Sequence, residues 1–199
     1  MKVTTNDIQV WLQDFAATIE KNKDYLSELD TPIGDGDHGN NMHRGMTEYL
    51  VVSKGNEPSS IANSFKVLAM ALISKVGGAS GPLYGSAFMN MAKAAKDLSE
   101  ITTTEELISI LTAGFDGIKN RGKAELGDKT MLDVWGPSIT LLKEGRFSSQ
   151  EIEQLKEQTK DLQAKKGRAS YLGERSIGHI DPGAASSALL FQTLLPYLN

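Results

Sequence analysis

Cysteine is missing altogether from the 199 residues, which excludes disulfides, thiolate metal sites and a cysteine nucleophile. Also missing is any unbroken apolar run near the roughly 20 residues of a membrane span. Met1-Lys2-Val3-Thr4-Thr5 lacks the apolar region of a signal peptide. No membrane role is expected, and the cytoplasm is the default compartment. Positive charge is in short supply: 21 Lys and Arg against 25 Asp and Glu give a net charge of −4. That balance argues against nucleic acid or anionic lipid bound through bulk charge, so any bound phosphate needs local help. No run of alternating β-branched residues occurs, and no G-x-x-x-x-G-K-[ST] of the Walker type. What remains, 40% hydrophobic and 23% charged residues, suits one soluble domain with a substantial core, spanning residues 1–199.

One stretch stands out: Asp30-Thr31-Pro32-Ile33-Gly34-Asp35-Gly36-Asp37-His38-Gly39-Asn40-Asn41. Asp30, Asp35 and Asp37 are interleaved with glycines and a proline that stop a helix from running through. Crowded like charges repel, so a rigid acidic loop is most comfortable around a cation; oxygen ligands without cysteine predict a hard one, Mg2+, Mn2+ or Ca2+. Gly34-Asp35-Gly36-Asp37-His38-Gly39 matches G-x-G-x-x-G, but the residues before it read as helix where a dinucleotide fold needs a strand. An EF-hand starting at Asp35 would want Gly and Glu where the chain has Asn40 and Met46. A ligand-free Asx-turn leading into a helix N-cap stays open.

Helical spacing covers most of the chain. Helices are expected over 5–28 (capped by Thr5 or Asn6), from about His38 to Lys54 (stopped by Gly55-Asn56), over 58–76 with Pro58 near its start, and from the Gly77–Gly85 turn to about Leu98. Four more are expected over 104–120 behind Thr103 or Thr104, over 130–144, from Ser148 or Ser149 to Lys165, and behind Asp181-Pro182-Gly183. The fold class is therefore all-α: eight antiparallel helices in an up-and-down arrangement. Turns that follow helices one, three, five and seven then lie at one end. The acidic loop, the small-residue turn Gly77-Gly78-Ala79-Ser80-Gly81, the Arg121–Thr130 connector and the Lys166–Ile180 loop with Arg168 and Arg175 should converge there. Aspartates, close-approaching backbone and arginines at one rim describe a metal–polyphosphate site. Taken alone, the small-residue turn is equally a tight helix–helix turn, the connector a solvated one, and Met131 a core residue.

Four blocks carry a resemblance: Gly34 to Asn41; Gly77-Gly78-Ala79-Ser80-Gly81-Pro82-Leu83-Tyr84-Gly85; Gly127-Asp128-Lys129-Thr130-Met131-Leu132-Asp133; and Gly167 to Ser176 together with Asp181-Pro182-Gly183-Ala184. In this order, over nearly the full chain, they resemble the nucleotide-binding L subunits of dihydroxyacetone kinases. The resemblance implies an eight-helix barrel with ADP and two Mg2+ at one end. The metals would be held by Asp30, Asp35 and Asp37. The nucleotide contacts carry over to His38, Gly39, Asn40, Asn41, Ala79, Ser80, Gly122, Met131, Arg168, Asp181, Pro182 and Gly183, which turns Met131 into an adenine contact.

The family has an ATP-using branch, in which this domain is fused behind a substrate-binding domain, and a branch of separate subunits fed by the phosphotransferase system. A free-standing chain of this length resembles the second. That implies a phosphoenolpyruvate–glycerone phosphotransferase in which ADP stays bound as a cofactor. It takes a phosphoryl group from a phosphohistidine on the M subunit and passes it to dihydroxyacetone held by the K subunit. Ser80 and Arg168 would steady the transferring group, and His38 would be a phosphate or metal-shell contact rather than a base. His43 and His179 are expected to be structural. Two alternatives stay open: a separate-chain kinase that uses ATP directly, and a non-catalytic nucleotide–metal module.

Overall fold

The computed structural model describes residues 1–55 and 58–198. Eight α-helices dominate the described residues: α1 Thr5–Asp30, α2 His38–Ser53, α3 Ile61–Lys75, α4 Ser80–Ala94, α5 Thr104–Gly122, α6 Leu132–Lys143, α7 Ser149–Gln158 and α8 Pro182–Leu194. Each packs against the next in sequence, and α8 packs against α1, so the helices close into an up-and-down barrel. A short antiparallel pair absent from the sequence reading, β1 (Val3–Thr4) with β2 (Glu100–Ile101), joins the start of the chain to the α4–α5 connection. Strand β2 begins beyond Leu98, where the spacing ends the fourth helix. That helix ends at Ala94 rather than Leu98, with the Ala95 N–H bonded back to Met91 O.

The barrel is filled by large apolar side chains on the inward face of every helix. Trp11 meets Phe65 edge-on at 6.1 Å between ring centres, and Trp135 meets Phe191 likewise at 5.1 Å. Trp11 Nε1 donates to Leu190 O at 3.1 Å, which pins the seam between the first and last helices.

Several boundaries differ from the spacing. Thr4, not Thr5 or Asn6, caps α1, in a reciprocal box with Asp7. Ser60 caps α3, and Pro58 lies outside the helix, its carbonyl accepting from Gln9 Nε2. At the end of α2, Gly55 turns the chain at φ +80°; Asn56, expected to share that stop, lies outside the described residues. Helix α6 begins at Leu132, two residues later than expected, after Lys129 takes a left-handed conformation. The largest difference is α7, which stops at Gln158 with one 3-10 turn (Thr159–Asp161) instead of reaching Lys165. The reason is tertiary. Lys129 Nζ takes the carbonyls of Thr159 and Leu162, and Thr159 Oγ1 accepts from the Asp181 N–H. The Lys166–Ile180 loop then holds a 3-10 stretch, Arg168–Ser176, broken at Gly173.

Candidate functional site

Because the helices alternate in direction, one rim of the barrel gathers the ends of α1, α3, α5 and α7 and the starts of α2, α4, α6 and α8. A cavity opens there, lined from all four expected segments. Its acidic wall is Asp30 at the end of α1 with Asp35 and Asp37 in the loop beyond. One carboxylate oxygen of each lies within 4.8 Å of the others. Two oxygens ligating one divalent ion at about 2.1–2.4 Å stand at most about 4.2–4.8 Å apart, so the trio fits one hard cation's shell. Asp30 is buried at 8% exposure, and its Oδ2 accepts from the backbone N–H groups of Asp37 (3.0 Å) and His38 (3.2 Å). Gly34 is needed beside it: a Cβ there would stand 1.9 Å from Asp30 Oδ1.

Across the mouth, Arg168 Nη2 reaches Asp35 Oδ2 at 2.8 Å, so the long loop folds over the acidic wall. Opposite lie Gly77, Gly78, Ala79 and Ser80, where α4 starts without a side-chain cap. That leaves N–H groups of its first turn open to an anion. The floor is apolar, made by Leu83, Ile118, Ala124 and Met131, with Gly122 at the end of α5. The remaining wall is the start of α8, Asp181 to Gly183, where Asp181 Oδ2 accepts from Ala184 N at 2.7 Å.

Thirteen of the fifteen residues expected at the site thus line one cavity: Asp30, Asp35, Asp37, His38, Asn41, Ala79, Ser80, Gly122, Met131, Arg168, Asp181, Pro182 and Gly183. Gly39 and Asn40 stand outside its lining. Gly39 faces α1, where a Cβ would meet Lys23 O at 1.8 Å, so close helix packing demands the glycine. Asn40 is exposed, and its N–H donates to Ser27 Oγ at 3.3 Å. Met131 is buried, at 4% exposure, and forms part of the cavity floor.

Beneath the cavity runs a buried polar chain that helical spacing did not reveal. Ser80 Oγ meets His38 Nδ1 at 3.0 Å, and His38 Nε2 meets Ser186 Oγ at 2.9 Å. From there Tyr84 Oη bonds Ser186 and Ser187, and Ser187 Oγ accepts from Trp135 Nε1. Ser186 Oγ also stands 3.1 Å from Gly183 O; with its proton donated there, His38 Nε2 donates to Ser186 and Nδ1 accepts from Ser80. Burial lowers the His38 pKa to about 4, against the opposing Asp37 charge, so the ring is neutral. Burial likewise raises Tyr84 far above the usual tyrosine range. The available signal was the adjacent Ser186-Ser187 pair inside an otherwise Ala- and Leu-rich helix. Burial also pushes the Asp181 carboxyl up to about 7, against the Ala184 N–H and the Lys129 charge.

The model of the DAK2 domain matches residues 32–196. The chain belongs to the DAK2 domain family. Among relatives of this DAK2 chain, the ADP-binding subunit DhaL of PEP-dependent dihydroxyacetone kinase 1 from Listeria innocua is 52% identical, over 93% of this chain and 92% of its own. The ADP-binding subunit DhaL of the PTS-dependent dihydroxyacetone kinase from Lactococcus lactis is 53% identical, over 93% of each. In fold, the DAK2 chain is similar to the crystal structure of the C. freundii dihydroxyacetone kinase in complex with AMP-PNP and Mg2+. The TM-score is 0.72 at 23% identity, over 95% of this chain and 33% of that longer one.

Proposed function

We propose that this chain is the ADP-binding subunit of a phosphoenolpyruvate-dependent dihydroxyacetone kinase, acting as one domain over residues 1–199. The observation that carries the reading is the cavity that faces three clustered carboxylates across from the bare start of α4. The subunit names of the two bacterial relatives supply the reaction. ADP is the cofactor, held with two Mg2+. Asp30, Asp35 and Asp37 would hold the metal, which when bound would neutralise phosphate charge.

The chain's own groups do the rest. First-turn N–H groups of α4 bind phosphate oxygens. Ser80 would contribute its backbone there, because its hydroxyl is paired with His38 Nδ1. Arg168, paired with Asp35 at the mouth, would steady the transferring group. The apolar floor with Met131 and Gly122 would take the adenine, and Asp181, Pro182 and Gly183 close that side of the cavity. Neutral His38 is a positioning group, not a base. Gly39 would contribute through its N–H at the start of α2, and Asn40, whose N–H donates to Ser27 Oγ, would hold that start in place.

The partners are a dihydroxyacetone-holding K subunit, which receives the phosphoryl group, and a phosphohistidine-bearing M subunit of the phosphotransferase system, which delivers it. Neither nucleic acid nor membrane is involved. No helix among the described residues is long and apolar enough to cross a membrane, and the proposed compartment is the cytoplasm. The test is reconstitution. The chain is mixed with K, M, the general carriers, phosphoenolpyruvate and dihydroxyacetone, and glycerone phosphate is measured. Product with phosphoenolpyruvate but not with ATP and K alone is expected; product with ATP and K alone would make it an ATP-fed kinase. Heat-denaturing the purified chain should also release stoichiometric ADP.

A further inference from the structure

Lys129 is 1% exposed, yet it is a lysine in a left-handed backbone conformation (φ +59°) one residue before the cavity wall at Thr130. A buried ammonium is costly unless each hydrogen finds an acceptor. Here all three do: Nζ donates to Thr159 O at 2.6 Å, Leu162 O at 3.1 Å and His179 O at 2.5 Å. The acceptors are main-chain carbonyls from the two ends of one loop. Thr159 and Leu162 begin it, His179 ends it, and between them it carries Lys166, Gly167, Arg168 and Ala169 to the cavity.

The same base is tied elsewhere by backbone. Gly178 N donates to Lys160 O, Lys165 N to Asp128 O, and Ala164 N to Ser176 Oγ. Burial pulls the Lys129 ammonium below the usual lysine range, opposed by the charges of Asp181, Asp161 and Asp133. A buried apolar residue would fill this space at lower cost if packing were the whole purpose. Joining both ends of a loop at one point calls for several donors on one flexible stem, and the compact lysine ammonium supplies three.

We infer that Lys129 is a positioning residue that holds the two ends of the 159–179 loop together so that Arg168 stands over the acidic wall of the cavity. Its effect on nucleotide binding passes through Arg168. The inference rests on the nucleotide reading above, and the experiment separates the two.

Binding of Mg-ADP to the full chain is measured by calorimetry for the parent, Lys129→Met, Arg168→Ala and the double variant, after removal of any bound nucleotide. Each single variant is expected to weaken binding by about tenfold, a charge-assisted contact's worth. The double variant should bind within about twofold of Arg168→Ala, because the arm that Lys129 steadies is already disarmed. A Lys129→Met loss that is equal with and without Arg168, or no loss, overturns the inference. Amide exchange supplies a readout independent of nucleotide: residues 163–178 should exchange faster in Lys129→Met while α1 to α6 are unchanged. Unchanged exchange there overturns the inference. Absence of Mg-ADP binding by the parent overturns the site reading and leaves exchange to decide on the loop. If Lys129→Met does not fold, Lys129→Gln takes its place, and collapse of both assigns Lys129 to the fold and not to the arm.

Discussion

The two ends of the barrel begin their helices differently. At the end away from the cavity, α1, α3, α5 and α7 start behind Thr4, Ser60, Thr103 and Ser148, and each hydroxyl accepts the N–H three residues on. Thr4 and Thr103 add reciprocal carboxylates, Asp7 and Glu106. At the cavity end, Asp30 serves the start of α2 from across the loop, Asp181 serves α8, and α4 has no side-chain cap. Neutral caps finish a helix within itself. Carboxylate caps and an open first turn leave charge and donors facing the cavity, so that end is complete only with a ligand that brings both cation and anion.

The strongest way to break this comparison is Asp35→Asn or Asp37→Asn. Phosphoryl transfer in the reconstituted system should fall by at least about a hundredfold, while the melting temperature of the ligand-free chain holds or rises as like charges are removed. Retained transfer would favour a non-catalytic module, and a lower melting temperature would make the trio part of the fold's own support. Next in size is the ligand itself. Mg-ADP at a hundred times its Kd should stabilise the parent by about 2.7 kcal/mol, raising the melting temperature by about 5 °C or more, with no rise in Asp37→Asn.

Asp181→Asn sharpens the comparison through pH. With a folded pKa near 7 against an ordinary 3.8, the folded chain holds a proton between about pH 4 and 7 that the unfolded chain releases. Asp181 therefore makes stability fall as pH rises through that window. His38, lowered from 6.5 to about 4, works the other way: its contribution is full above about pH 6.5 and fades as pH drops toward 4. The two offset one another in the ligand-free parent. In Asp181→Asn, denaturant titrations should show stability rising with pH relative to the parent, by up to about 1.4 kcal/mol per pH unit. Parallel curves would refute the assignment. The smallest effect belongs to the far end. Ser60→Ala should lower stability by about 1 kcal/mol and leave Mg-ADP affinity unchanged; altered affinity would mean the ends are coupled.

Much of this was legible because it depends on local rules. The helices follow from apolar spacing, and the convergence of four turns follows from alternation of direction. The carboxylate trio and the Ser80 turn could be placed at one rim before any coordinate. What escaped involves side chains that act on backbone far away. Lys129 reads as one more charge in a polar connector, yet it ends α7 early by taking carbonyls 30 and 33 residues on. The His38 to Trp135 chain escaped for a related reason: Tyr84, Ser186 and Ser187 sit on two helices whose mutual rotation spacing does not encode. Gly39 shows the converse. The resemblance makes this glycine a ligand contact, and its close packing on Lys23 O is visible only in the coordinates.

The ring that closes with Trp11 against Leu190 has an even number of members, so α1 sets out from, and α8 returns toward, the face opposite the cavity. A tag, a tether or a second folded unit attached at either terminus hangs from that blunt face. Nothing attached there need crowd the cavity mouth.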